Sequence, residues 1–142
     1  MARKKKVKLN KIIINGMPVV NLLDHEVVIY QNDKPVLTIE KSGIEARIAY
    51  HETSAFMLGG VIPVTRRIGN QLVFYDQNMK LVPHGEMVTE IGDAISIVSS
   101  ICLKKATLFL GKAVSPGTKI SINGNDKVNG RRVIGTKNFI TE

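Results

Sequence analysis

The sequence predicts a β-rich α+β domain, a single domain with antiparallel sheets and one main helix. Three observations lead to it. Short β-branched runs such as Ile12-Ile13-Ile14, Val27-Val28-Ile29-Tyr30 and Leu72-Val73-Phe74-Tyr75 recur along the chain. Between them stand closely spaced Asn, Asp, Gly and Pro residues, the chemistry of tight turns. Only residues 93 to 106 carry apolar positions at convincing helical spacing.

In chain order, Ile12-Ile13-Ile14, the Asn15-Gly16 break and Pro18-Val19-Val20-Asn21-Leu22 read as strand, turn and strand. Asp24-His25 interrupts them before the strand Val27-Val28-Ile29-Tyr30. Asn32-Asp33-Lys34-Pro35 turns the chain back through Val36-Leu37-Thr38-Ile39, the clearest hairpin in the sequence. After Ser42-Gly43, residues Ile44, Ala46, Ile48 and Tyr50 alternate with Glu45, Arg47 and Ala49, as in a strand with one wet face. Residues 51 to 58 are weakly patterned. Gly59-Gly60 opens the run Val61 to Ile68, in which Pro63 marks an edge strand or a strand's first residue. Gly69-Asn70 leads to the short strand at Leu72 to Tyr75. Residues 76 to 87 read as a loop around Pro83, and residues 88 to 91 fit either state.

Asp93 is placed to cap a helix over residues 93 to 106, with Ala94, Ile95, Val98, Ile101 and Cys102 on one face. Lys104 and Lys105 would complement its carboxyl-terminal dipole. Residues 107 to 110 return to strand, Ser115-Pro116-Gly117 turns into Lys119-Ile120-Ser121-Ile122, and Asn123 to Asp126 forms a loop. Asn129-Gly130 then starts a last extended segment, Arg131-Arg132-Val133-Ile134-Gly135-Thr136-Lys137-Asn138-Phe139. Alternation puts Arg131, Val133, Lys137 and Phe139 on one face and Arg132, Ile134 and Thr136 on the other. A bulge at Gly135 would bring Arg132 and Lys137 to the same side. Such cations, beside apolar side chains on a rigid strand, form either an anion-binding pocket or a solvated edge that discourages aggregation.

A chain of 142 residues fits one ordinary core. The formal charge of +8 is uneven: Arg3, Lys4, Lys5, Lys6, Lys8 and Lys11 supply +6 with no acid among residues 1–11, leaving +2 for the body. Residues 1–11 therefore read as a basic disordered tail and residues 12–142 as the domain. A near-neutral body with few aromatics and no Trp argues against a broad nucleic-acid face, although the tail permits salt-dependent contact with nucleic acid. No apolar run approaches a membrane span, and residues 1–11 lack the apolar core of a signal peptide. The single Cys102 permits no internal disulfide and fits a reducing cytosol.

No catalytic signature stands out. His25, His51 and His84 share no metal-ligand spacing with one another or with Cys102. Ser99-Ser100 lacks the nucleophile-elbow glycines, and no phosphate-loop or dinucleotide glycine pattern occurs. A binding protein is expected rather than an enzyme, with no cofactor and no metal, although a His–carboxylate pair formed in space stays open.

Five segments in order resemble a family of small phage proteins. They are Asn21-Leu22-Leu23-Asp24-His25, Ser42-Gly43-Ile44-Glu45-Ala46-Arg47, Gly60-Val61-Ile62-Pro63-Val64, Ile97-Val98-Ser99-Ser100, and Asn129 to Lys137. The pattern is similar to that of the phage anti-Thoeris sponge proteins. These bind cyclic ADP-ribose isomers made by host TIR-domain enzymes. The resemblance implies a homo-oligomer in the host bacterial cytoplasm that sequesters a small-molecule nucleotide signal without cleaving it. The chain departs from the pattern at Leu23-Asp24, at the additional Arg131, and at Lys137 where arginine is usual. Lysine lacks the planar fork that grips phosphate bidentately.

Such a ligand needs cations for phosphate, an apolar surface for the base and small polar groups for ribose. Arg132 and Lys137 match the family's terminal pair and are the first candidates for phosphate, with Arg131 beside them and Arg47 next. Thr65, Arg66 and Arg67 read as solvated strand residues. Phe74 and Tyr75 are the stacking candidates, and one of the two must face the core. Asn21 and His25 either line a site or, for His25, cap a turn. The alternative function is a phage nucleic-acid-binding or virion-associated structural protein using the basic tail.

Overall fold

Val19 and Val20 are chain neighbours, yet each belongs to a different apolar core. They lie on β2 (Met17–Asn21), whose successive side chains point to opposite faces of a sheet covered on both sides. The computed structural model describes residues 9 to 123 and 131 to 142. In it β2 belongs to a mixed five-stranded sheet ordered β1 (Lys11–Ile14), β2, β8 (Ile95–Ile97), β9 (Ala113–Pro116) and β12 (Phe139–Ile140). β2, β8 and β9 run parallel, with Val20 beside Ser96 and Ser96 beside Ala113.

On one face, Val19, Leu23 and Ile97 meet Val27 of β3 (Val27–Gln31) and Ile39 of β4 (Lys34–Ile39). Those two strands share a four-stranded sheet with β10 (Lys119–Asn123) and β11 (Arg131–Thr136), and β11 runs parallel to β3. On the other face, Val20, Leu22 and Val98 meet α1 (His84–Ile91), α2 (Leu103–Leu110) and the root of a long hairpin. That hairpin is β5 (Glu45–Leu58) with β6 (Ile62–Tyr75), and β7 (Leu81–Val82) adds a third strand at its root. Backbone bonds from Ser42 N to Asn21 O and from Ala46 N to Leu22 O, both 2.9 Å, tie the hairpin's entry to the end of β2.

Most expected strands are present. The Asn32-Asp33 turn of the β3–β4 hairpin has φ of 52° and 61°, the left-handed geometry that Asn and Asp tolerate. The expected bulge is present beside Gly135. The β10–β11 register steps from Ile120↔Gly135 to Ser121↔Val133, leaving Ile134 as the extra residue. The Asn129-Gly130 turn lies outside the described residues. So do residues 1–8 of the expected tail, whereas Lys11 already pairs with Val20 in β1.

The helical regions differ from expectation. Residues 95–97 form the buried strand β8, not the first turn of a helix over 93 to 106. A strand covered on both faces loses its alternation, so Ile95-Ser96-Ile97-Val98 is ambiguous by pattern. The helix starts later, at Leu103, which moves Lys104 and Lys105 into its first turn and turns residues 107 to 110 from strand to helix. The expected loop over 76 to 87 contains the start of α1. This helix follows Pro83, carries Glu86 in its first turn, buries Met87 and Ile91 one turn apart, and ends at Gly92 with φ 55°. Residues 51 to 58, weakly patterned in sequence, pair with β6 along β5.

Candidate ligand-binding cleft

Because β2, β8 and β9 are parallel neighbours, their carboxyl ends share one rim of the sheet. The crevice beyond such a rim is where open α/β sheets bind ligands, since loops diverge there and leave backbone groups free. β2 runs on to Leu22-Leu23, β8 to Ser99-Ser100, and β9 ends at Ser115-Pro116. Facing them are the start of β3 and the end of β11. Between these walls lies a cleft of about 660 Å³, large enough for a nucleotide-sized ligand.

The walls are fixed by buried polar side chains. Asn21 is fully buried. Its Nδ2 donates to His25 O (3.0 Å) and Ile39 O (3.1 Å), and its Oδ1 accepts from Leu23 N (3.0 Å). One amide thus folds the Leu23–Glu26 lip over the sheet and joins it to β4. On the opposite wall the Thr136 hydroxyl lies 2.8 Å from Thr118 O and 2.9 Å from Asn138 O. Asn138 Oδ1 accepts from Thr118 N (2.8 Å) while its carbonyl accepts from Gly117 N (2.8 Å), which locks the turn after β9. Gly135 is required where β11 crosses β3: a Cβ there would collide with the Val28 carbonyl oxygen and the Tyr30 ring.

The lining is mixed. Leu23, Val27, Val28 and Pro116 give an apolar wall, Ser99 and Ser100 give hydroxyls, Lys119 gives a cation, and Glu26 gives a carboxylate at the lip. His25 is exposed at the lip, with Nδ1 2.8 Å from Glu26 O. In neutral His25 that bond assigns the proton to Nδ1 and leaves Nε2 as an acceptor; in the charged ring both nitrogens donate. Ser99 O and Ser100 O accept from Cys102 N (3.0 Å) and Leu103 N (3.3 Å), so the chain turns sharply into α2. Burial pushes the Cys102 thiol above its usual range, against a smaller opposing effect from its bond with Ser99, so it is an inert neutral thiol beneath this turn. The arrangement can hold an anion with an apolar body.

The residues singled out in the sequence do not form one site. His25 lines the cleft. Asn21 does not: it is buried and hydrogen-bonded to the backbone, so it shapes the lip instead of touching a ligand. Phe74, 1% exposed, is the core member of the Phe74–Tyr75 pair and is excluded from stacking on a ligand, its ring packed edge-on to His84. Tyr75 and Arg47 line a separate hollow of about 670 Å³ at the root of the hairpin, with Tyr50, His51 and Arg67. There Arg47 Nε pairs with Glu45 at 2.6 Å and Arg67 lies over the Tyr50 ring. Lys137 lines a third hollow with Tyr30 and Asp33, because it follows the inward Thr136 and alternation turns it away from the cleft. The side chains of Arg131 and Arg132 lie outside the described residues.

Sequence reasoning missed Lys119, Ser115 and Pro116 as lining residues. Their only signal was the Ser115-Pro116-Gly117 turn, which looked like an ordinary connection. Among the described residues no cluster of three or more His, Cys, Asp or Glu side chains is placed to hold a metal, and no helix is long and apolar enough to cross a membrane. No protein-family model, curated protein or solved structure matches the chain.

Proposed function

We propose that this chain is a phage anti-defence protein that reversibly sequesters a cyclic nucleotide immune signal, a cyclic ADP-ribose isomer, without cleaving it. It acts as a homo-oligomer in the host cytoplasm. The observation that carries this proposal is the meeting at one cleft of segments far apart in sequence: Leu23 and His25, Ser99 and Ser100, and Gly135 and Thr136. These belong to three of the five segments that resemble the sponge family, and a fourth, Ser42 to Arg47, is hydrogen-bonded to the backbone of the first. In this assignment Lys119 faces phosphate; His25, Ser99 and Ser100 face ribose; and Leu23, Val27 and Pro116 face the base. Of the two first phosphate candidates, Lys137 gives way to Lys119, and the side chain of Arg132 lies outside the described residues. The hydroxyls, apolar side chains and lysine that line the cleft offer contacts to a bound molecule, which supports capture.

The test is mass spectrometry of small molecules released by heat after the protein has been incubated with lysate containing active TIR signalling. Recovery of intact cyclic nucleotide is the expected result. Recovery of a cleaved product, or of no nucleotide, overturns the proposal.

A further inference from the structure

The hollow at the hairpin root follows an open strand edge. Its lining takes six consecutive residues of β5, Arg47 to Glu52, together with Arg67 and Tyr75 of β6. β5 is the outer strand of its sheet, so the side turned away from β6 has no strand beside it. On that side Ala46 N donates to Leu22 O. Backbone groups alternate direction along a strand, so those of Ile48, Tyr50 and Glu52 point the same way as those of Ala46. Among the described residues no strand pairing and no other backbone bond takes them up. Exposed edges are usually blunted by proline, lysine or shortness. β5 is 14 residues long and contains neither proline nor lysine, whereas β6 carries Pro63.

Two arginines flank this edge, one on each face of the ribbon. Arg47 alternates with Tyr50 and Glu52 along β5, and Arg67 lies beside those two. Arg47 gives its Nε to Glu45 at 2.6 Å, and its terminal nitrogens have no partner among the described residues. Arg67 lies over the Tyr50 ring, with the Glu52 carboxylate 4.0 Å away. Two guanidinium groups thus stand against one carboxylate in the lining. We propose that this edge takes an extended acidic peptide segment of another protein as an added strand. Its main chain pairs with Ile48, Tyr50 and Glu52, and its carboxylates meet Arg47 and Arg67. A guanidinium fork holds a carboxylate through two parallel bonds, which suits acids better than any other side chain. Side chains of the added strand alternate between faces, so its acids must lie an odd number of residues apart to reach both arginines.

The hollow shares no lining residue with the cleft, so the peptide site and nucleotide capture stand or fall separately. The test uses the full chain and a fluorescein-labelled peptide of three Glu-Val-Thr repeats, which sets acids on both faces of a strand. Anisotropy should show saturable binding. Arg67→Glu should weaken it by about tenfold or more, since it turns attraction at the contact into repulsion. Replacing the peptide's glutamates by lysines, or methylating the backbone amides of its middle repeat, should weaken binding at least as much. Hydrogen exchange gives a readout that needs no variant. With peptide bound, the amides of Ile48, Tyr50 and Glu52 should slow, while those of Arg47 and His51, turned toward β6, change little. Absence of binding, equal binding of the lysine or methylated peptide, no effect of Arg67→Glu, or slowing confined to other amides overturns the proposal. So does slowing of the same three amides with protein concentration alone, which would place a second copy on the edge. Displacement of the peptide by oligothymidylate of equal length at lower concentration would assign the arginines to nucleic acid and overturn it as well.

Discussion

The rim of the five-stranded sheet and the far half of the β5–β6 ribbon are both made of strands, but they are buried in opposite degrees. At the rim, β2 and β8 are covered on both faces and even a polar side chain such as Asn21 is sealed from water. Along the ribbon, residues 51 to 58 are exposed on both faces. The difference separates what a strand needs in order to exist from what it needs in order to build a site. The rim is held by two cores and can fix a cleft in one geometry. The ribbon is held by backbone pairing and a few exposed contacts, such as Thr65 with Glu52, and its side chains bury little.

The largest expected contrast is in stability. Phe74→Ala should destabilise the chain by about 3–5 kcal/mol, because a fully buried aromatic leaves a cavity. Phe56→Ala should change it by less than about 0.5 kcal/mol in dilute solution, as exposed substitutions do. Urea unfolding followed by circular dichroism measures both. Equal costs would mean that the ribbon is packed even in the single chain.

Next is Asn21→Ala, expected to cost about 3 kcal/mol, because it strands the Leu23 amide and the carbonyls of His25 and Ile39 without partners. Nucleotide affinity should fall as well although Asn21 touches no ligand, since the lip carrying His25 loses its tie to β4. Calorimetric titration beside the unfolding curve separates the two effects. A variant that loses stability and keeps full affinity would show that the lip is not part of the site.

How much of this was legible depended on burial. The β3–β4 hairpin could be read because its turn chemistry is local and its strands are short. β8 could not, because a strand between two parallel neighbours shows a continuous apolar run and Ile95 to Cys102 also satisfies a helical stripe. The β-rich α+β class survived these changes of element type, since the paired strands that define it were read from local turns and alternation. The site was less legible than the fold. His25 was named from the sequence and lines the cleft, whereas Lys119, which also lines it, was not, because its place there depends on a rim assembled from β2, β8 and β9. Arg47 and Lys137 line two other hollows, and no periodicity in the chain distinguishes those from the cleft.

Lys119→Ala should reduce nucleotide affinity by about 1–2 kcal/mol, with stability unchanged, and the loss should shrink as salt is raised. An affinity that does not depend on Lys119 at low salt would remove the cleft's cation from the binding account.

Arg47→Ala is expected to do least. The guanidinium is exposed and engaged with Glu45 at 2.6 Å, in a hollow lined by different residues from the cleft. The Glu45 hydrogen bond, followed by its charge, raises the Arg47 pKa further above an already high value, so the group stays cationic wherever the protein is folded and adds no pH dependence near neutrality. Affinity, stability and their pH profiles should all match those of the unsubstituted chain. A loss of affinity larger than that from Lys119→Ala would move the nucleotide to the hairpin root, among Tyr50, Tyr75 and Arg67. The site would then be built at the hairpin root, where Ala46, Leu72 and Phe74 pack in the same core as Val20 and Leu22 of the rim.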